Sequence, residues 1–212
     1  SEEGKTADTP VIVRLTPDGS FHRYFLHAKK GSILKVAFLS ASEKEETRPF
    51  ALQVKVYAEK GSRVELTMPQ MLGTEVLDLT DIGSLLEKDA SVELVKMELG
   101  AKKVYTGTLM TLKGDGSSFT AHIGYQGFSG QHLDMNYVAR HLGRKTRSLM
   151  ESNGVLSGDA FKLFRGSIDF VKGCAGSVGN ETEDVLLLGE DVVNQTIPLI
   201  LCAEEDVEGN HG

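Results

Sequence analysis

Alternation of apolar and polar residues dominates this chain. Leu52-Gln53-Val54-Lys55-Val56-Tyr57 has the period of two expected of a half-buried strand. Val11–Leu15, Phe21–Leu26 and Ile33–Leu39 read as extended too. They are separated by the turn Pro17-Asp18-Gly19-Ser20 and by the small polar segment from His27 to Ser32. Ser42–Pro49 is charged and reads as a solvated loop, and Gly124–Gly130 reads as a loop between strands. Two stretches break the pattern. Leu77–Glu87 predicts a short helical turn with Thr80 or Asp81 as cap. Asn136–Met150, carrying Arg140, Arg144, Lys145 and Arg147, suits a helix interrupted by Gly143 or a strand with exposed basic residues. From Phe164 to Gly212 short apolar runs alternate with glycine punctuation, which predicts short strands turning back at regular intervals.

A weak repeat overlies this pattern. Ser32, Ser62 and Ser91 each precede or open an apolar run and recur about every 30 residues, within the range of stacked repeats. A unit of strand, small-residue turn and strand cannot bury both faces alone, whereas stacked units share one core. Later turns keep the style, as in Lys113-Gly114-Asp115-Gly116, Leu156-Ser157-Gly158-Asp159 and Val171-Lys172-Gly173-Cys174. The pattern alone leaves a β-solenoid and a β-sandwich of unrelated hairpins level.

Composition narrows the function classes. A chain of 212 residues, 40% hydrophobic and 25% charged, has the make-up of a globular protein of one domain or two small ones. Glycine is abundant at 23 and proline scarce at 5, which favours tight turns over a disordered linker. The net charge of -7 argues against a surface that tracks nucleic-acid phosphates. No apolar run approaches the ~20 residues that span a bilayer, and no signal peptide opens the chain, so a membrane location is not expected and a cytoplasmic one is. Two cysteines without a CxxC pair fit a reducing compartment.

Candidate chemistry is sparse. The chain has no phosphate-binding Gly-x-x-x-x-Gly-Lys-Ser/Thr loop, hence no expected ATP site of its own. It has no dinucleotide fingerprint, no His-Glu-x-x-His and no Gly-x-Ser-x-Gly elbow, so no motif marks it as an enzyme, although a nucleophile triad stays open on sequence alone. Histidines remain. His122 lies in an alternating strand and reads as a surface or core residue, and His22 and His27 lack a compelling ligand spacing. His141 sits among Arg140, Arg144 and Arg147, whose charge disfavours its protonated form. His211 is flanked by Gly209, Asn210 and Gly212, which leave its imidazole accessible as a ligand for borderline metals. Glu204, Glu205, Asp206 and Glu208 crowd the same segment, so a solvated acidic tail is the plainer reading of these residues alone.

The region from about Asp134 to Gly212 resembles the core of the SufB/SufD family of iron–sulfur cluster assembly proteins. The resemblance rests on His141 with Ser148 downstream, on Phe164-Arg165-Gly166-Ser167-Ile168 for the family's F-x-G-x-I, and on Gly173-Cys174-Ala175. Leu186-Leu187-Leu188, Gly189 to Pro198 and His211 follow in matching order and spacing. It implies an all-β fold, a right-handed parallel β-helix occupying 1–212 as a single core domain without the family's flanking helical regions. It further implies a SufD-like scaffold component that pairs through its β-helix with SufB or with a second copy and works with the ATPase SufC. A transient iron–sulfur cluster would form at that interface. By position, His211 matches the family's interface histidine, a proposed cluster ligand, with Glu208 a weaker metal candidate. Val192, in the turn Gly189-Glu190-Asp191-Val192, falls where SufB carries its essential cysteine. Gly209-Asn210-His211-Gly212 is closer to SufD's x-S-H-G than to SufB's E-H-E. Cys174 and Cys202 match no family ligand and read as small buried hydrophobes. The competing expectation is a non-catalytic β-solenoid used as a structural or interaction module without metal. A polysaccharide-processing β-helix enzyme ranks below it, because such proteins are usually secreted.

Overall fold

The computed structural model describes residues 1–212 as fifteen strands and no helix. Odd-numbered strands form one parallel sheet, in the order β1 (Val11–Leu15), β3 (Ile33–Ala41), β5 (Arg63–Met71), β7 (Ser91–Glu98), β9 (Ser118–Gly127), β11 (Arg147–Ser157), β13 (Ser177–Leu188) and β15 (Val207–His211). Even-numbered strands form the second, in the order β2 (Phe21–Ala28), β4 (Phe50–Ala58), β6 (Leu77–Leu86), β8 (Lys103–Leu112), β10 (His132–His141), β12 (Phe161–Phe170) and β14 (Val193–Cys202). The chain passes from one sheet to the other and back in each coil, making a parallel β-solenoid of about seven turns. Alternate side chains of both sheets point inward, so the core is a column along the solenoid axis. No helix is long and apolar enough to cross a membrane.

The thirty-residue repeat is a stack of turns. Gly31, Gly61, Asp89, Gly116, Lys145 and Gly176 all have left-handed backbone, with φ of 67°, 66°, 56°, 71°, 54° and 74°. The N–H of each donates to a carbonyl of the next coil's turn, as Gly61 does to Lys88 (2.9 Å) and Gly116 to Arg144 (2.9 Å). The residue that follows is buried, and the Ser32, Ser62 and Ser117 hydroxyls donate back to the carbonyls of Lys29, Glu59 and Gly114. Ala90, rather than Ser91, is therefore the counterpart of Ser32 and Ser62. Ser91 opens β7 and pairs with Arg63.

Two sequence readings need correction, and the structure chooses between the two alternatives of a third. Leu77–Leu86 is strand β6 rather than a helical turn. Its inward positions include Asp78 and Thr80, so polar residues stand where a strand pattern calls for apolar ones. They are satisfied inside: the Thr80 hydroxyl donates to Asp78 (2.8 Å), as does the Gln70 amide (3.2 Å). Beside them Lys96 pairs with Glu98 (2.8 Å), which also accepts from Thr106 (2.6 Å). Gly124–Gly127 belongs to strand β9, and the connection to β10 begins only at Phe128. Asn136–Met150 is the end of β10, a turn through Gly143 and the start of β11, so the strand alternative is the one adopted.

Packing loosens at the last coil. Strand β15 covers only Ser177–Glu181 of β13, and nothing pairs with the outer edge of β14. Leu186, Leu187 and Leu188 on β13 and Ile197, Leu199 and Leu201 on β14 are left exposed.

Candidate functional site at the open end of the solenoid

The interior of the last coil is polar, as is the stretch around Asp78 and Lys96. Inward positions of β13 carry Glu181 and Glu183, those of β14 carry Asn194, Thr196 and Pro198, and β15 brings His211. Together they line a cleft of about 390 Å³. Glu181 and His211 are register partners on adjoining parallel strands, so their side chains stand side by side, one strand spacing of about 4.8 Å apart.

Lys162 lies behind the cleft, against Glu183 and Thr196. Its side chain is fully buried, and its ammonium donates to both Glu183 oxygens (2.7 and 2.8 Å) and to the Thr196 hydroxyl (3.0 Å). Tyr125 donates to Glu183 Oε1 (2.8 Å), and Thr196 donates to the same carboxylate. The ammonium also lies 5.7 Å from the centroids of the Tyr125 and Phe164 rings, within cation–π range. Burial pulls the Lys162 pKa down, and Glu183 opposes that shift.

Two glycines make room for these groups. A β-carbon at Gly154 would enter the Tyr125 ring, and one at Gly166 would enter the Glu181 carboxylate. The glycine of Phe164-Arg165-Gly166-Ser167-Ile168 thus leaves open the space that the end of the Glu181 side chain occupies. Glu183 is saturated by its partners, whereas the Glu181 carboxylate makes no hydrogen bond or ion pair although the residue is only 4% exposed. Burial raises the Glu181 pKa and the Glu183 charge adds to the shift, with His211 and Lys162 opposing.

The residues singled out from sequence fare differently. His211 is exposed at the mouth of the cleft. Glu208 lies on the outer face of β15, where it accepts from Asn210 (3.3 Å), so the structure does not bring it to His211. Val192 is partly buried against the core just before β14 and does not line the cleft. Glu204 closes a turn by accepting from the Gly173 N–H (2.9 Å), which lowers its pKa. Cys174 is buried, but Cys202, the last residue of β14, is exposed, contrary to the sequence reading.

His141 is fully buried between Thr146 (2.7 Å) and Ser148 (2.9 Å), with its pKa lowered to about 4. The cause is burial, opposed by Asp169, and not the arginine charge expected from sequence; Arg140 is paired with Asp169 (2.8 Å). Elsewhere His27 pairs with Glu59 (2.7 Å), His122 with Glu151 (3.0 Å), and His132 stacks on Phe161.

Glu181, Glu183, Lys162 and Thr196 escaped the sequence reading. The available signal was Glu181-x-Glu183, which in a strand places both carboxylates on one face. Nowhere do three His, Cys, Asp or Glu side chains converge into a complete metal cage. The donors at the mouth are oxygen and nitrogen, a set that suits borderline divalent ions and lacks the thiolates that usually hold iron–sulfur clusters.

Residues 12–212 match the family model described as the SUF system FeS cluster assembly, SufBD core domain. The chain is 24% identical over 159 residues to the iron–sulfur cluster assembly protein SufB of Bacillus subtilis, covering 74% of this chain and 34% of that protein. It is 25% identical over 195 residues to an iron–sulfur cluster assembly SufBD family protein of Mycobacterium leprae, covering 91% and 22%. A SufBD family protein of Staphylococcus saprophyticus is 25% identical over 210 residues, covering 96% and 45%. The chain therefore spans less than half the length of these curated relatives.

Proposed function

Since the chain belongs to the SufBD core family of the SUF iron–sulfur cluster assembly system, we propose that it is a SufD-like scaffold component rather than an enzyme. In this reading it pairs through its last coil with a SufB-type partner or a second copy. It works with a SufC-type ATPase in the cytoplasm, and the nascent cluster is its cargo. His211 contributes a donor to iron or to the cluster at that interface.

The observation that carries the reading is the combination at one end of the solenoid of an accessible imidazole and an exposed apolar rim. Ile197, Leu199 and Leu201 face outward from a strand whose edge is unpaired, and Leu186–Leu188 extend beyond the reach of β15. Apolar side chains grouped on the outer face of a sheet favour burial against a second chain. Val192 supports the SufD-like assignment over a SufB-like one, because it cannot supply a thiolate. The partner would then bring the sulfur ligands, and this chain an imidazole.

The test is cluster assembly with SufB-type and SufC-type partners, comparing wild type with His211→Ala. A large fall in cluster yield with the complex still intact is expected. An unchanged yield would leave the chain as a structural module without a metal role.

A further inference from the structure

Stacked coils bring equivalent positions into line, one strand spacing of about 4.8 Å apart. On the sheet faces, cations meet acids of the next coil: Lys35 meets Glu65 (3.4 Å), Lys55 meets Asp81 (2.7 Å) and Arg140 meets Asp169 (2.8 Å). The edge formed by the left-handed turns departs from this rule. The residue before the left-handed one is Lys30, Lys60, Lys88, Asp115 and Arg144 in five successive coils, and the left-handed residue of the fifth is Lys145. Backbone hydrogen bonds from Gly31 to Lys60 (3.1 Å), Gly61 to Lys88 (2.9 Å), Asp89 to Asp115 (2.9 Å) and Gly116 to Arg144 (2.9 Å) hold these turns against one another. Lys30, Lys60 and Lys88 therefore follow cation upon cation, and like charges side by side repel. Lys60, Lys88, Arg144 and Lys145 are exposed and belong to none of the protein's ion pairs, and Lys30 reaches only the solvated Glu3 (3.8 Å). The acids of the same turns are engaged: Glu59 by His27 (2.7 Å) and the Lys30 N–H (2.9 Å), Glu87 by Lys113 (2.7 Å), and Asp115 by the Arg144 N–H (2.8 Å). A chain of net charge -7 thus gathers unpaired positive charge along one edge.

We infer that this edge is a docking ridge for an acidic, extended segment of a partner protein, laid along the solenoid axis. From Lys30 to Lys145 is four coil steps, about 19 Å, which an extended chain rising about 3.3 Å per residue covers with about six residues. Lys88, Arg144 and Lys145 border a cleft of about 360 Å³ on the ridge, room for a carboxylate side chain. Asp89 and Asp115 line the same cleft, and they set the chemistry of the partner. A nucleic acid carries a charge on every phosphate and would meet both aspartates, whereas a peptide can set a neutral residue opposite them. Each exposed ion pair is weak alone and screened by salt, so affinity comes from engaging several coils at once. The ridge lies on the turns of the earlier coils, and its role depends neither on His211 nor on a cluster.

The experiment is a fluorescence-anisotropy titration of a labelled oligoglutamate peptide with the protein at low ionic strength, and in parallel of a labelled oligothymidylate of equal charge. Saturable binding of the peptide is expected, weakening steeply as salt is added. Lys88→Glu combined with Arg144→Glu should weaken it about tenfold or more. Arg23→Glu combined with Lys103→Glu changes the net charge equally, on the outer face of the even-numbered sheet, and should leave most of the affinity in place. All four positions are exposed, so melting temperatures should stay near that of wild type. Lys88→Gln combined with Arg144→Gln, which removes charge without reversing it, guards against a folding defect and should weaken binding in the same direction. Absence of saturable binding by the wild type, or an equal loss in the two charge-reversed pairs, overturns the inference. Tighter binding of the oligothymidylate than of the peptide overturns it in favour of a nucleic-acid site.

Discussion

Gly166 and Glu181 claim the same volume from opposite sheets: a β-carbon on the first would overlap the carboxylate of the second. The neighbouring atoms are part of a closely packed interior, so the clash has no free direction for relief except through the mouth of the cleft. Gly166→Ala should therefore destabilise the protein by about 1 kcal/mol, the low end of the range for overpacking, because the carboxylate ends a flexible side chain that can swing out into the cleft. The double variant with Glu181→Ala should recover most of that loss. Urea midpoints of the two variants decide it, and equal stability of Gly166→Ala and wild type would refute the relationship.

Lys162 is the only cation inside this end of the column, and its pairing with Glu183 is largely enclosed, with the carboxylate at the inner wall of the cleft. Removing one member of a buried pair leaves the other charge uncompensated, at a cost of about 3–5 kcal/mol. Lys162→Met is expected to lower the melting temperature steeply. Adding Glu183→Gln to Lys162→Met should restore much of it, because the orphaned charge goes too. A double variant no more stable than the single one contradicts the assignment.

Much of this architecture was legible in the sequence. Val54, Val56 and their alternating neighbours declared strands, and the turns at Gly31 and Gly61 declared the repeat, because a left-handed position followed by a small buried residue recurs once per coil. The solenoid's polar interior was not legible. Asp78 and Thr80 on an inward face erase the alternation that marks a strand, which made β6 read as a helical turn. Lys162 and Glu183 lie 21 residues apart and meet only because consecutive strands fall on opposing sheets. His211 could be singled out from its small neighbours, but Glu181 beside it required the register of β13 and β15. The misreading of Glu208 has the same origin, since adjacency in sequence says nothing of which face a strand residue takes.

Asp78 and His141 give stability opposite dependences on pH. Burial, reinforced by the Glu98 charge, pushes the Asp78 carboxyl up to about 6, above its ordinary 3.8. Its contribution is fully present below about pH 4 and is lost as pH rises through about 6. Burial lowers His141 from 6.5 to about 4, so its contribution is present above about pH 6.5 and is lost as pH falls towards 4. Denaturant midpoints for Asp78→Asn should exceed those of wild type above about pH 7, and the excess should vanish near pH 4. A constant difference across that range would show that Asp78 does not titrate in the folded protein as described.

The apolar rim of the last coil gives the remaining prediction. Leu199 and Leu201 are roughly half exposed, at 46% and 48%, and point away from the core on a strand with a free edge. A charge there costs the folded chain little, because exposed substitutions usually change stability by no more than about 0.5 kcal/mol. The same charge inside an interface is desolvated without a partner and is expensive. Leu199→Glu should therefore leave the melting temperature of the isolated chain near wild type while weakening association with a SufB-type partner or a second copy at least tenfold. Light scattering and a binding titration measure the two effects. Phe25→Glu, at a still more exposed site on β2 at the far end of the same sheet, is the control and should not alter association. If Leu199→Glu and Phe25→Glu behave alike, the last coil is not the pairing surface, and His211 no longer has an interface to serve.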